Sequence, residues 1–200
     1  MPGGMPLYWA ASLPEKPMSP RNKRYGVPGR FIEFRPMSIR WNPSVTVAAI
    51  IERAGRYLLV EEETPEGLRL NNPAGHLEPG ESPLEGCVRE ALEETTHRFM
   101  PTHLLGIYLS RFQRQPPGEA VQDITYLRFA YIGELGEAVA GRVLDTGIVR
   151  TLWMTPEEIR ASHARHRSPL VLRCMEDHLR GQRHPLDLVY TDASVQLMNR

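Results

Sequence analysis

The chain has 200 residues, 41% hydrophobic and 24% charged, the profile of an ordinary soluble globular protein of one compact domain plus a tail, and no run approaches the roughly 18 apolar residues of a membrane span. Its formal net charge of zero hides an asymmetry: residues 1–40 carry seven Lys or Arg against Glu15 and Glu33, so the remaining chain carries a net −5, a mildly acidic body that lacks the electrostatic footprint of a nucleic-acid binder and suits a divalent-cation site. Cys87 and Cys174 are the only cysteines, which excludes a disulfide framework and a zinc spacing and makes a reducing cytoplasm the expected compartment.

Residues 1–40 contain seven prolines and no helical or strand periodicity, so a disordered, basic, Pro-rich extension is expected there, ahead of a domain over 41–190 and a tail over 191–200. The apolar stretch Met5 to Leu13 is broken by Pro6 and has no basic segment before it, which makes a poor signal peptide. Patterned sequence begins just after Met37, a candidate start of translation; mass spectrometry finding residues 1–36 in the native protein would exclude that.

Ser44 to Glu52 and Arg56 to Glu62 are rich in β-branched and apolar residues and flank Gly55, predicting a hairpin. Leu68 to Asn71 predicts a short strand, and Pro73 to Gly80 a loop. Ser82, Pro83 and Glu85 then form a helix start in which Ser82 caps, Pro83 takes the first helical position and Glu85 completes a capping box; the helix should run to about Thr96. Leu104 to Phe112, Ile124 to Ile132 and Val149 to Met154 predict strands. Thr155 to Glu158 repeats the capping-box pattern, and Ser168 and Pro169 open a last helix closed by Gly181.

At about 100° per residue, Leu84, Val88, Ala91, Leu92 and Thr95 share one face of the first helix, and Glu90, Glu93 and Glu94 lie roughly opposite. Three such carboxylates repel one another. A hard divalent cation relieves this, because Mg²⁺ prefers carboxylate oxygens and keeps positions for water and phosphate. Gly86 on this face leaves room for a ligand, and Arg89 is spaced to reach both Glu85 and Glu93. Taken alone, E-x-x-E-E reads as a solvated acidic face.

Its surroundings change that reading. From Gly75 the chain runs G-H-L-E-P-G-E-S-P-L-E-G-C-V-R-E-A-L-E-E-T-T-H and resembles the Nudix box, G-x5-E-x7-R-E-U-x-E-E-x-G-U with U aliphatic. Gly75, Glu81, Arg89, Glu90, Glu93 and Glu94 match in register, and Ala91 stands for U. Thr96 replaces the final Gly, and His97 replaces an aliphatic residue. Since Thr supplies a left-handed residue poorly, the helix should end by another route or run on. The similarity extends from about Ser44 to Leu188, through S-V-T-V-A, N-x-P-A-G-H-L-E, R-S-P-L-V and G-Q-R-x-P-L, and is to the NudJ-type phosphatase branch of the Nudix hydrolases.

That resemblance implies an α/β/α sandwich with a mixed sheet, in the α/β (α+β) class. It also implies a Mg²⁺-dependent hydrolase, with Mn²⁺ as a possible substitute, releasing orthophosphate from nucleoside tri- and diphosphates or from thiamin pyrimidine pyrophosphate. Glu90 and Glu94 are the expected principal ligands, Glu93 a further ligand or water-orienting group, and the backbone at Gly75 a supporting oxygen. Arg89 would orient the cluster, and Glu81 would support the loop or hold an additional metal. A water activated beside the metal is the expected nucleophile.

The general base is open; Asp123 and Glu119 are weak candidates. His76, Arg69, Arg111 and Arg128 could reach phosphates, although a loop histidine and solvated arginines are the stronger readings. Tyr126, Phe129 and Tyr131 could include a base-stacking ring, but fill a core more often. Cys87, on the helix flank with no paired His, is a poor nucleophile. A cytoplasmic monomer acting on a small molecule, with no nucleic acid and no membrane, is expected. The alternative is a catalytically silent Nudix-fold nucleotide sensor, which should have lost a box carboxylate.

Overall fold

The computed structural model describes residues 41–114 and 120–199; the expected extension over 1–40 and the candidate base Glu119 lie outside them. Strand β1 (Ser44–Arg53) turns into β2 (Arg56–Thr64) through Ala54 and Gly55, whose φ values are 52° and 76°. Two positive φ values mark the tight hairpin turn that matches strand twist, and Gly55 makes it affordable to the backbone. Strand β3 (Gly67–Asn71) follows.

The expected loop over Pro73–Gly80 contains a strand, β4 (Ala74–His76), paired antiparallel to β1 as Thr46↔His76, Val47↔Gly75 and Ala48↔Ala74. Three residues are too few to show a period of two.

Helix α1 (Pro83–Thr95) begins as predicted, with both limbs of the capping box made: Glu85 N–H donates to Ser82 Oγ at 3.2 Å and Ser82 N–H to Glu85 Oε2 at 2.8 Å. Its end corrects the expectation. Thr96 itself takes the left-handed conformation (φ 62°, ψ 7°) and donates its N–H to Leu92 O at 2.9 Å. The strain is offset by neighbours that fix the exit, because Val139 N–H donates to Thr96 O at 2.8 Å and Thr95 Oγ1 bonds Ala91 O.

Strands β5 (His97–Arg114) and β6 (Gln122–Ala138) form a long antiparallel ribbon, extending well beyond their predicted cores. Pro101 hides the start of β5, yet β5 lies at the sheet edge, where a missing N–H is tolerated, and register shifts beside Pro101 absorb it. Strand β7 (Ile148–Met154) and helices α2 (Pro156–Ala161) and α3 (Leu170–Leu179) complete the elements that matter to the site. Ala193–Asn199, within the expected tail, forms a 3₁₀ helix.

The sheet order is β3-β2-β1-β6-β5, with β4 on β1 and β7 on β2; β1 and β6 are parallel and the other pairings antiparallel, so the sheet is mixed as expected. Val47 to Ile51 are all at most 1% exposed, because β1 is covered on both faces. Ala48 and Ile50 join Ile159 of α2 and Val171, Cys174 and Met175 of α3 in one core. Val47, Ala49 and Ile51 join Cys87 and Ala91 of α1 in the other. The architecture is therefore α/β/α. Cys87 is in this second core, not on a helix flank, and burial pushes its thiol pKa up, which removes it as a nucleophile.

Candidate active site

Arg89 organises the acidic face of α1. Its Nε and Nη2 donate to the two oxygens of Glu81 at 3.0 and 2.8 Å, Nη2 also donates to His76 O at 3.0 Å, and Nη1 donates to Glu90 Oε1 at 2.8 Å and Glu93 Oε2 at 3.0 Å. Those bonds use all five N–H groups of the guanidinium, a load that no Lys could carry. Two expectations change here. Glu85 is held by its cap and not by Arg89, and the space beside Gly86 is filled, since a Cβ there would lie 2.7 Å from Glu81 Oε1.

Gly75 lets Glu90 in. A Cβ on Gly75 would lie 2.1–2.2 Å from all three atoms of the Glu90 carboxyl group, so that carboxylate rests directly on the β4 backbone. Glu94 is 8% exposed and accepts the Ala74 N–H at 2.8 Å. Burial raises its pKa to about 8; the Ala74 bond opposes this, and the charges of Glu90, Glu62 and Asp145 add to it. Burial likewise raises the Glu90 pKa, against the pull of Arg89.

This is a negative cluster short of positive charge. Glu90 and Glu93 each give Arg89 one oxygen and retain the other, and Glu94 meets a single N–H donor. Among the described residues no three His, Cys, Asp or Glu side chains are gathered into a ready cage. The donor chemistry nonetheless fits a hard cation of the Mg²⁺ type, which is held through one or two carboxylates and keeps much of its water.

Beside β4 a cavity of about 250 Å³ opens on the α3 side of the sheet. Its floor is a row of residues in register across three strands, His76 on β4, Thr46 on β1 and Arg128 on β6. Glu62 and Asn71 border it from β2 and β3, and Tyr126 forms part of its wall.

The Nudix domain pattern matches residues 41–174. The chain belongs to the Nudix family. The phosphatase NudJ of Escherichia coli K12 is 35% identical over 150 residues, covering 74% of this chain and 92% of its own. A Nudix hydrolase structure from Nitrosomonas europaea is 50% identical with a TM-score of 0.66, covering 76% of this chain and 98% of its own. A MutT Nudix hydrolase from Burkholderia pseudomallei, 18% identical with a TM-score of 0.52 over 68% of this chain and 98% of its own, shares the fold. The protein is thus a Nudix hydrolase, an enzyme of the phosphoanhydride-cleaving type similar to the NudJ phosphatases.

The Nudix helix and β4 bring Gly75, Glu81, Arg89, Glu90, Glu93 and Glu94 together. Asp123 stands apart: Arg111, donating at 2.7 Å, and Gln113 hold it, and its carboxyl pKa is lowered to about 2, far from a useful general base. Arg69 does not line the cavity, whereas Arg111 does, already paired. Arg128 overturns the reading of a solvated arginine, being 7% exposed. Of the three aromatics only Tyr126 faces the cavity; Phe129 and Tyr131 pack in the core under the Nudix helix.

Sequence reading missed Glu62, Asp145, Thr46 and Asn71. Glu62 sits in a run of three Glu whose first member, Glu61, is a buried structural partner of Arg150 and Arg165. Nothing in that run distinguishes the two.

No helix among the described residues is long and apolar enough to cross a membrane.

Proposed function

We propose that this Nudix hydrolase removes orthophosphate from nucleoside tri- or diphosphates, or from a related pyrophosphate such as thiamin pyrimidine pyrophosphate, with Mg²⁺ as its cofactor and Mn²⁺ as a substitute. The observation that carries this reading is the buried, charge-deficient Glu94 beside a carboxylate cluster whose other members Arg89 already holds in place. The relationship to NudJ supports the choice of phosphate release.

Glu90 and Glu94 would be the principal ligands, Glu93 a further one, and the Gly75 carbonyl a supporting oxygen. When bound, the cation supplies charge neutralisation on the phosphates and lowers the pKa of a water. The chain supplies the positioning on which phosphoryl transfer chiefly depends. Arg89 fixes the Glu90 and Glu93 carboxylates, and Glu81 anchors Arg89 through both oxygens. Glu93 Oε1, the oxygen not taken by Arg89, is left to orient the attacking water.

The test is orthophosphate release from nucleoside di- and triphosphates, thiamin pyrimidine pyrophosphate and ADP-ribose, with Mg²⁺ or with EDTA, for wild type and Glu94→Gln. Mg²⁺-dependent release lowered about a hundred-fold or more by the substitution is expected. Absence of turnover with nucleotide binding intact would instead make the protein a sensor.

A further inference from the structure

Tyr131 carries a hydroxyl that the fold does not use. The residue lies on β6 in register with Ala49 of β1 and Leu104 of β5, and its ring stands in the core beneath α1. It is 1% exposed, yet its hydroxyl makes no hydrogen bond among the described residues. A buried phenol normally finds a partner. Because the ring is packed among core side chains, the hydroxyl is the part of Tyr131 that reaches out, and it opens into a cavity of about 450 Å³ between the first turn of α1 and the C-terminal segment.

Both walls of this cavity are anchored. On one side the capping box holds the first turn of α1. On the other, His184 and Leu104 exchange backbone bonds at 2.8 and 2.9 Å, which fastens the segment to the edge of β5, and Leu186 and Val189 pack against the core under α1. Beyond them Thr191, Asp192 and Gln196 line the cavity together with Ser82, Pro83 and Glu85. None of these residues belongs to the acidic cluster around Arg89 or to the cavity beside β4.

The lining excludes an anion. Among the described residues that form it none is Lys, Arg or His, and the first turn of α1 has few donors to offer: Glu85 N–H is taken by Ser82 Oγ, Gly86 N–H by Ser82 O, and Pro83 has none. Two carboxylates border the cavity instead. Glu85 gives Oε2 to its cap and keeps Oε1, while Asp192 accepts the Ser194 N–H at 2.9 Å and the Tyr190 hydroxyl at 3.4 Å. Those bonds hold both carboxyls below their ordinary pKa, so both are ionised at neutral pH. A hydrated metal ion would leave the Tyr131 hydroxyl and the apolar part of the lining, Leu84, Leu186 and Val189, without a partner. A protonated organic amine matches each part. Its charge faces Glu85 and Asp192, its body meets the apolar side chains, the exposed Tyr190 ring offers a cation–π face, and an ammonium N–H donates to the Tyr131 hydroxyl oxygen.

We propose that the cavity between the first turn of α1 and residues 186–196 is a binding site for a small protonated amine with an apolar body, seated on Glu85 and Asp192 and hydrogen-bonded to Tyr131.

Calorimetry on the full chain tests this with 2-phenylethylammonium as the probe, against 2-phenylethanol and phenylacetate, which keep its shape and remove or reverse its charge. Wild type should bind the ammonium at millimolar concentration or below, the alcohol at least about ten-fold more weakly, and the carboxylate more weakly still. Tyr131→Phe removes only the hydroxyl, and Asp192→Asn keeps a side-chain oxygen for Ser194 while removing the charge. Each should weaken ammonium binding by about three- to ten-fold. Tyr131→Phe should also leave the melting temperature within about 2 °C of wild type, since the hydroxyl holds nothing in the free protein. Ammonium bound instead at the acidic cluster around Arg89 would be indifferent to both substitutions, and an affinity that either one leaves unchanged overturns the proposal. Equal affinity for the alcohol, or no binding of the ammonium, does the same. A larger fall in the Tyr131→Phe melting temperature would make the hydroxyl a structural group and overturn it too.

Discussion

Gly75 is the residue at which one hydrogen atom decides the site. Any larger side chain must displace the Glu90 carboxyl group, because a Cβ would approach it to 2.1–2.2 Å. Glu90 would then lose its bond to Arg89 Nη1. Displacements of about 1 Å in a reacting geometry cost around a hundred-fold in rate. Gly75→Ala should therefore lower kcat/KM by ten- to a hundred-fold while the melting temperature stays within about 3 °C, since the clash falls on a side chain near the surface and not on the core. Steady-state kinetics and a thermal melt check both halves. Arg89 argues the opposite case, of chemistry with too many partners for a substitute. Arg89→Lys has one ammonium to set against three carboxylates and the His76 carbonyl, so Mg²⁺ affinity should fall by roughly ten- to a hundred-fold, as for other residues that orient metal ligands. Calorimetric Mg²⁺ titration reads this directly; an unchanged affinity would show that the cluster arranges itself.

Among the elements, α1 shows what a sequence can and cannot announce. Its start was legible because a capping box is local: Ser82, Pro83 and Glu85 carry their own hydrogen-bond partners. The box spacing likewise placed Glu90, Glu93 and Glu94 on one face, and the resemblance supplied Gly75 and Glu81. The helix end was misread, since Thr96 takes φ 62° under the hold of Val139, a residue 43 positions away. β4 was missed because three residues show no periodicity, and the cavity because His76, Thr46 and Arg128 come together only through strand register. A β-branched residue in the left-handed region is strained by about 1–2 kcal/mol, while glycine loses more entropy on folding, about 0.5–1 kcal/mol. Thr96→Gly should accordingly stabilise the protein by roughly 0.5–1 kcal/mol and raise the melting temperature by about 2 °C. A lower melting temperature in the variant would mean that the Thr96 side chain contributes more than its backbone costs.

At the scale of the whole molecule the sheet separates two cores, and β4 is where the acidic face of α1 meets the cavity on the α3 side. This arrangement puts Glu94 under cover and so ties folding to its proton and, on the proposed reading, to the metal. Its carboxyl pKa is raised from an ordinary 4.5 to about 8 in the folded, metal-free protein, so between these values the folded state holds a proton that the unfolded chain has released. The stability that this proton confers is complete below about pH 4.5 and is lost as pH rises through 8. On the proposed reading Mg²⁺ requires the deprotonated carboxylate and competes with that proton, so it should bind more tightly as pH rises. With EDTA, melting temperature should fall between pH 5.5 and 8.5. Saturating Mg²⁺ should oppose the fall, with a stabilisation of about 2.7 kcal/mol at a hundred times Kd that shrinks toward pH 5.5. In Glu94→Gln, which can neither release the proton nor offer a carboxylate, both the slope and the Mg²⁺ shift should be much reduced. Scanning calorimetry of the two proteins across that pH range measures both; an Mg²⁺ shift that is independent of pH, or equal in the variant, would detach Glu94 from the metal and leave the burial of its carboxyl group without a function.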